Sequence, residues 1–386
     1  MIPSNTASQL NRHTAAILIA LVCLSPLPLA SNRPVFWTAG AFLMGVLSLV
    51  YFWKQSADRW TFQHSSKSFA PLACLAMVYL TYLVVQTLPI AGGWNGVSID
   101  LPQATFAHST ISISIGDTQL AALRMAGYAL LFLLMLQVST NRVRAKALAW
   151  VLFGAVVFWA LFALFSLLHL NDRILFLEKW AYLGSAPGPF VNRNAFATFL
   201  AMGMILGAGL VADNILKKQN TQVGILHPTQ LVRFVSVVGV LIVFVTLLYT
   251  QSRMGLVAGL VGLSVTLTLL VAKRRRQRAP VSRLSIFGPL ALILVVLAVY
   301  GRALFHRLDT LEDSVVMRLD LYRQIIGMIE QRPFFGWGAD SFEIAYRGFR
   351  TAPVGSEFSW ASAHSTYLAH WVETGVVFGS IPLILI

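Results

Sequence analysis

The chain has 386 residues, 57% of them hydrophobic and only 11% charged, a balance that excludes an ordinary soluble domain and marks an integral membrane protein. Its formal charge of +14 would suit a nucleic-acid binder, but the cations sit in short segments between apolar runs, which is the pattern of membrane loops. The two cysteines, Cys23 and Cys74, both fall inside apolar runs, so they read as packing residues and not as a disulfide or a metal site.

A helix needs roughly 17 to 25 apolar residues to cross a bilayer. Ten stretches qualify: 14–30, 35–53, 70–90, 118–138, 147–170, 194–213, 231–250, 254–272, 284–301 and 365–386. The expected fold is all-α, a polytopic membrane helix bundle with nine predicted spans in residues 1–301, a long loop at 302–363 and a tenth span in 364–386. Arg12 followed by an apolar stretch ending in PLPLA (26–30) has the outline of a signal peptide, but its proline-broken end and the immediate second span favour a retained helix. In SRMGLVAGLVG (252–262) the small-xxx-small spacing of Gly255 and Gly259 predicts a helix-packing face without chemistry.

With the N-terminus in the cytoplasm, the strongly basic short loops fall on one side: Lys54, Arg59 and Lys67; Arg142, Arg144 and Lys146; Lys217 and Lys218; and KRRRQR at 273–278. The opposite side then receives 91–117, 171–193, the turn 251–253 and 302–363. Apart from Lys179, the cations of that side are arginines, whose rigid fork grips phosphate oxygens in pairs. Most of them have acidic neighbours, such as Asp309, Glu312, Asp313, Asp320 and Glu330, and ion pairing accounts for them. Arg193 and Arg253 differ: each stands at the mouth of a predicted span with no acidic residue close in sequence. Asn192 and Asn194 flank Arg193, one suited to capping the helix and both able to hydrogen-bond phosphate.

Within 302–363, SVVMRLDLYRQIIGMIEQR (314–332) places Val315, Leu319, Tyr322, Ile326 and Ile329 at three- and four-residue spacing, an amphipathic helix. Ser314 is its expected N-cap and Pro333 ends it. Such a helix lies along the membrane surface with Arg318 and Arg323 toward the headgroups, where they are candidate substrate contacts. Trp337 and Trp360 suit the same interface. Gly336-Trp337-Gly338 is not a dinucleotide loop, because no strand precedes it and a third glycine is missing. In SAHSTYLAHWVETG (362–375), Ser362 is the expected cap of the last helix, which puts His364 in its first turn as a neutral imidazole able to accept a proton. His370 and Glu373 lie deeper and read as a pair within the bundle. AHST recurs at 107–110, making His108 a weaker second candidate base.

GPFVNRNAFATFLAM (188–202), SRMGLVAGLVG (252–262), RPFFGWGADSF (332–342) and AHSTYLAHWVETGVVFG (363–379) together resemble the O-antigen ligase and O-antigen polymerase superfamily over roughly residues 180–386. The resemblance implies a bacterial inner-membrane glycosyltransferase. Such an enzyme takes a glycan from undecaprenyl diphosphate on the periplasmic face and joins it to an acceptor, lipid A-core for a ligase or a lipid-linked glycan for a polymerase. It implies that Arg193 and Arg253 hold the diphosphate and that His364 is the base or acceptor-orienting group. It also implies about twelve spans, two beyond those found before Ile386. Many other lipid-sugar transferases use a divalent metal held by acids in the first external loop; Ser31-Asn32-Arg33-Pro34 has no carboxylate, so neither metal nor cofactor is expected. A transporter for the same lipid is the contrasting reading, disfavoured because the cations cluster at helix mouths and not at mid-membrane.

Overall fold

A computed structural model describes residues 5–27, 29–57, 66–90, 97–101, 104–175, 177–179, 181–186, 188–216, 228–276, 309–351, 354 and 360–385. The predicted span at 284–301 and the cations Arg302 and Arg307 lie outside these residues. Seven of the described helices are long and apolar enough to cross a membrane, and two shorter apolar helices cover Gln9–Leu24 and Phe69–Val85. The protein is a multi-pass membrane protein. Each of the nine other predicted spans is a helix, and one expectation needs correcting: 91–117, expected as loop only, contains a small antiparallel hairpin of β1 (Val97–Leu101) and β2 (Ala104–His108) that pairs Ile99 with Phe106. His108 closes β2.

The chain divides into two compact units, Met1–Phe36 with Val138–Arg302, and Trp37–Gln137 with Ala303–Ile386. The first contains α1 (Asn5–Leu24), α5 (Arg142–His169), α6 (Arg193–Leu216), α7 (Pro228–Tyr249) and α8 (Arg253–Arg276). Asn141 starts α5, its Oδ1 accepting from the N–H groups of Val143 and Arg144 at 2.9 and 3.1 Å. α6 is the central helix, with Phe196, Leu200 and Met204 fully buried. Its glycines let α5 in close: a Cβ at Gly203 would lie 2.3 Å from Val156, and one at Gly207 2.3 Å from Phe153. α8 approaches the same way: Cβ atoms at Gly255 and Gly262 would lie 2.4 Å from Ala197 and 2.2 Å from Ile205, and one at Gly259 would press on Leu247 and Met204 at 3.0 and 3.1 Å. The predicted glycine packing face is therefore the α6–α8 seam. Both numberings rise together along that seam, so α6 and α8 run parallel and begin side by side.

The second unit contains most of α2 (Pro34–Ala57), α3 (Ser66–Val85), α4 (Ile115–Val138), α9 (Asp309–Gln331), α10 (Phe342–Arg347) and α11 (Thr366–Leu385). α9 begins earlier than Ser314, its expected cap, and its buried line is Leu321, Ile325 and Met328, all fully covered. Leu319 and Ile326 of the predicted stripe are about half exposed. Apolar residues occur on two faces of this helix, and the cluster formed with Ile113, Phe342, Tyr346 and Val372 selects the other one. Trp337 belongs to that cluster as well; it is 5% exposed, donates its indole N–H to the carbonyl of Met328 and is not an interface anchor.

α11 is broken at Gly375, where φ is 76° and ψ 164°. A break inside an apolar helix frees carbonyls that the bilayer cannot satisfy. The segment 333–338 takes them: Trp337 N–H donates to Val372 O and Gly338 N–H to Glu373 O, both at 2.9 Å, while Val376 N–H donates to Pro333 O at 2.7 Å. Contact is so close that a Cβ at Gly375 would lie 2.2 Å from the carbonyl oxygen of Phe334, and one at Gly336 2.5 Å from that of Glu373. The fully buried Gln86 completes the joint, donating from Nε2 to Phe335 O and Glu373 O and accepting at Oε1 from Ala339 N–H. RPFFGWG and HWVETG are thus two sides of one backbone junction.

Gln86→Leu strands the N–H of Ala339, since Phe335 O keeps the Tyr82 hydroxyl and Glu373 O keeps Gly338. The expected loss is about 1–3 kcal/mol, read as a lower melting temperature of the full chain in detergent. Gly375→Ala combines a clash with a left-handed backbone and is expected to cost more.

Candidate functional site

In the first unit the loop before α6 is built around a buried ion pair. Lys179 Nζ lies 2.5 Å from Asp172, with the lysine side chain 1% exposed, and donates also to Ser185 O at 2.7 Å. The other oxygen of Asp172 accepts from Gly184 N–H at 2.7 Å. Lys179 is therefore structural. The same loop is tied to the end of α7, because Ala186 N–H donates to Tyr249 O and Gln251 Nε2 donates to Gly184 O, at 2.9 and 3.0 Å. It presents Tyr182, whose ring lies 5.1 Å under the guanidinium of Arg193.

Arg193 is the first residue of α6. Asn192 caps it, its Oδ1 accepting from Asn194 N–H at 2.8 Å, which leaves the exposed amide of Asn194 directed to solvent. The Nε of Arg193 is buried without a hydrogen-bond partner. Arg253 is the first residue of α8, behind a cap made by Ser252, whose Oγ accepts from Gly255 N–H at 3.3 Å. Neither arginine has a carboxylate partner among the described residues. Since α6 and α8 begin side by side and parallel, their two N-termini, each starting with an arginine, stand at one end of the seam. A cation in a first helical turn faces the positive end of the dipole, which costs about 0.3–1 kcal/mol. Two such cations together form an arrangement that an anion stabilises.

In the second unit His364 lies outside its helix, correcting the expectation of a first-turn residue. α11 begins at Thr366 and its cap is Ser365, whose Oγ accepts from Leu368 N–H at 3.4 Å; Ser362 has no part in it. His364 precedes the cap in a left-handed conformation, with φ 51°. Its ring meets Trp360 edge to face at 5.4 Å, and its carbonyl accepts from the Tyr322 hydroxyl at 3.1 Å. Partial burial holds the imidazole below its ordinary pKa, and Arg318 acts in the same direction. The neutral form is reached as expected, though by desolvation and a neighbouring cation and not by the helix dipole. Arg318 is exposed and has no ion pair among the described residues, whereas Arg323 bonds Asp320 at 2.8 Å, an ordinary helix-surface pair. Arg347 and Arg173 are likewise paired, with Glu343 and Glu178.

Sequence reasoning missed Arg124 and Asp340. They form a two-pronged ion pair at 2.6 Å within the second unit, beneath a cation–π contact of Arg124 with Trp37. Arg124 sits inside an apolar span, and that isolation was the available signal. Among the described residues no three His, Cys, Asp or Glu side chains gather as a metal-holding group.

Residues 238–381 match the family model described as O-antigen ligase. This segment is similar to the O-antigen ligase family. The O-antigen ligase match spans Arg253, Arg318, Arg323 and His364, together with both sides of the backbone junction, and leaves Arg193, Asn192 and Asn194 outside it. Neither the curated proteins nor the solved structures include a match to the chain.

His364 followed by NMR of the labelled imidazole is expected to titrate below the ordinary value near 6.5. Arg318→Gln removes one charge that disfavours the imidazolium, so the midpoint moves upward. No movement would mean that burial alone sets it.

Proposed function

We propose that the chain is an O-antigen ligase-like glycosyltransferase of the bacterial inner membrane. It moves a glycan from undecaprenyl diphosphate to an acceptor, lipid A-core in the favoured case, at the periplasmic face. The observation that carries this reading is the pair of unneutralised arginines, Arg193 and Arg253, at the adjoining N-termini of two parallel helices. Such a site suits a multiply charged phosphate group, and the resemblance to O-antigen ligases implies that this group is the diphosphate of the donor. The N-terminus is cytoplasmic in this reading, which puts the basic loops inside.

The acceptor hydroxyl attacks the anomeric carbon of the donor sugar. A bond forms between that oxygen and C1 as the C1–O bond to the diphosphate breaks on the opposite face, inverting the centre. The hydroxyl proton passes to the neutral ring of His364, which Arg318 and partial burial keep available. The leaving diphosphate gains negative charge, and Arg193 and Arg253 stabilise it where it develops. Asn194 offers a neutral donor to the same oxygens, Asn192 orients the helix start, and Arg318 with Arg323 meets the headgroup region. The reaction uses no divalent metal.

Arg193→Lys keeps the charge and loses the fork. It is expected to lower transfer substantially, and Arg193→Ala to lower it on the order of 10²- to 10³-fold; wild-type rates in Arg193→Lys would argue against two-pronged recognition. Chelation is expected to leave transfer unchanged, and a loss restored by Mg²⁺ or Mn²⁺ would refute the metal-free reaction. Deleting the gene in the native host distinguishes the class. Long glycans stranded on undecaprenyl diphosphate beside bare lipid A-core support the ligase; single repeat units in place of long chains indicate a polymerase. Precursors trapped on the cytoplasmic face indicate a transporter and remove the catalytic roles of these residues.

A further inference from the structure

The second unit holds a cavity of about 950 Å³, at the upper end of the range of ligand sites, that the glycosyl-transfer reading does not use. One wall is a face of α3 running from Cys74 through Val78 and Tyr82 to Val85, a length of about 16 Å at helical rise. The other wall is Pro333–Phe335 with Phe378. Nearly everything that faces the space is apolar. It is open along its side, with Met77 62%, Val78 47% and Phe334 64% exposed.

Arg332 also lines this cavity. Its guanidinium stacks on the Trp337 ring at 4.1 Å and makes a long hydrogen bond, 3.4 Å, to Ile111 O. It has no carboxylate partner among the described residues. Burial lowers its pKa to about 10, an effect partly offset by Tyr82, so the group is a cation held against a desolvation cost. Its position is at the C-terminal end of α3, because Ile111 adjoins Ser112, whose N–H donates to Gln86 O just past that helix. An apolar channel along a membrane helix, closed at the helix end by one fixed cation, has the form of a lipid with its headgroup at that end.

We propose that this groove binds an anionic phospholipid of the surrounding bilayer, its acyl chain lying along α3 and its phosphodiester meeting Arg332. The charge selects this occupant: a single guanidinium balances the single negative charge of a phosphodiester, whereas a diphosphate calls for two cations, as at Arg193 and Arg253. None of the groove residues belongs to the proposed donor site, so the bound lipid supports the junction between RPFFGWG and α11 and takes no part in transfer.

The full chain, purified in detergent, is titrated with dioleoylphosphatidylglycerol and the retained lipid counted by native mass spectrometry. Dioleoylphosphatidylethanolamine and undecaprenyl phosphate serve as comparators. One phosphatidylglycerol per chain is expected, held more tightly than phosphatidylethanolamine, with retention reduced on the order of tenfold or more in Arg332→Gln. Val78→Trp, which fills the groove from its exposed wall and leaves the cation in place, is expected to reduce it as well, while Arg347→Gln, at an exposed arginine paired with Glu343, is expected to leave it unchanged. Equal retention by wild type, Arg332→Gln and Val78→Trp would overturn the proposal. So would a preference for undecaprenyl phosphate that the same two variants abolish, which would assign the groove to a polyprenyl chain.

Discussion

Hydrocarbon offers no partner to a free carbonyl, and at the break of α11 beside Gly375 the protein supplies partners to the carbonyls of Val372 and Glu373. Trp337, Gly338 and Gln86 do so, and their geometry dictates much around them. Gly336 and Gly338 adopt positive φ to bring the backbone that close, Gln86 is buried with its amide fully used, and Trp337 is drawn into the core. The same junction determines where α10 begins and where Asp340 meets Arg124. Substitutions in RPFFGWG therefore act through backbone geometry before they act through any ligand.

A second constraint governs the first unit. Arginine is the wrong charge for the first turn of a helix, yet α6 and α8 both begin with one, side by side. Around them the polar groups are otherwise well satisfied: Asn192 and Ser252 cap, Gln251 and Ala186 stitch the loop, and Asp172 with Lys179 forms its buried pin. The local misfit is confined to two cations in an otherwise satisfied framework.

The helices were legible because apolar length is a strong signal, and Arg193 and Arg253 stood out because nothing acidic lies near them in sequence. Their pairing was not legible. It depends on the glycine seam that makes α6 and α8 parallel neighbours, and spacing alone identifies a packing face without naming its partner. α9 was recognised with its buried face partly displaced: Tyr322 and Ile329 of the expected stripe pack against the cluster, while Leu319 and Ile326 give way to Leu321, Ile325 and Met328, a choice only tertiary contacts make. For His364 the neutral state was anticipated through a helix position it does not occupy; Ser362 and Ser365 are equally good caps on paper. The hairpin of β1 and β2 escaped notice because its short strands carry little pattern.

The seam between α6 and α8 works as a ruler. At Gly255, Gly259 and Gly262 side chains of α6 come within 2.2–3.4 Å of where a Cβ would sit, so these close approaches fix the axial offset of the two helices. The offset between the two helix N-termini, where Arg193 and Arg253 stand, is thereby set along the middle of both helices. A side chain gained at Gly255 or Gly262 would disturb that offset without touching a charged atom. The geometry of the two helix mouths is thus tied to small residues in the apolar interior.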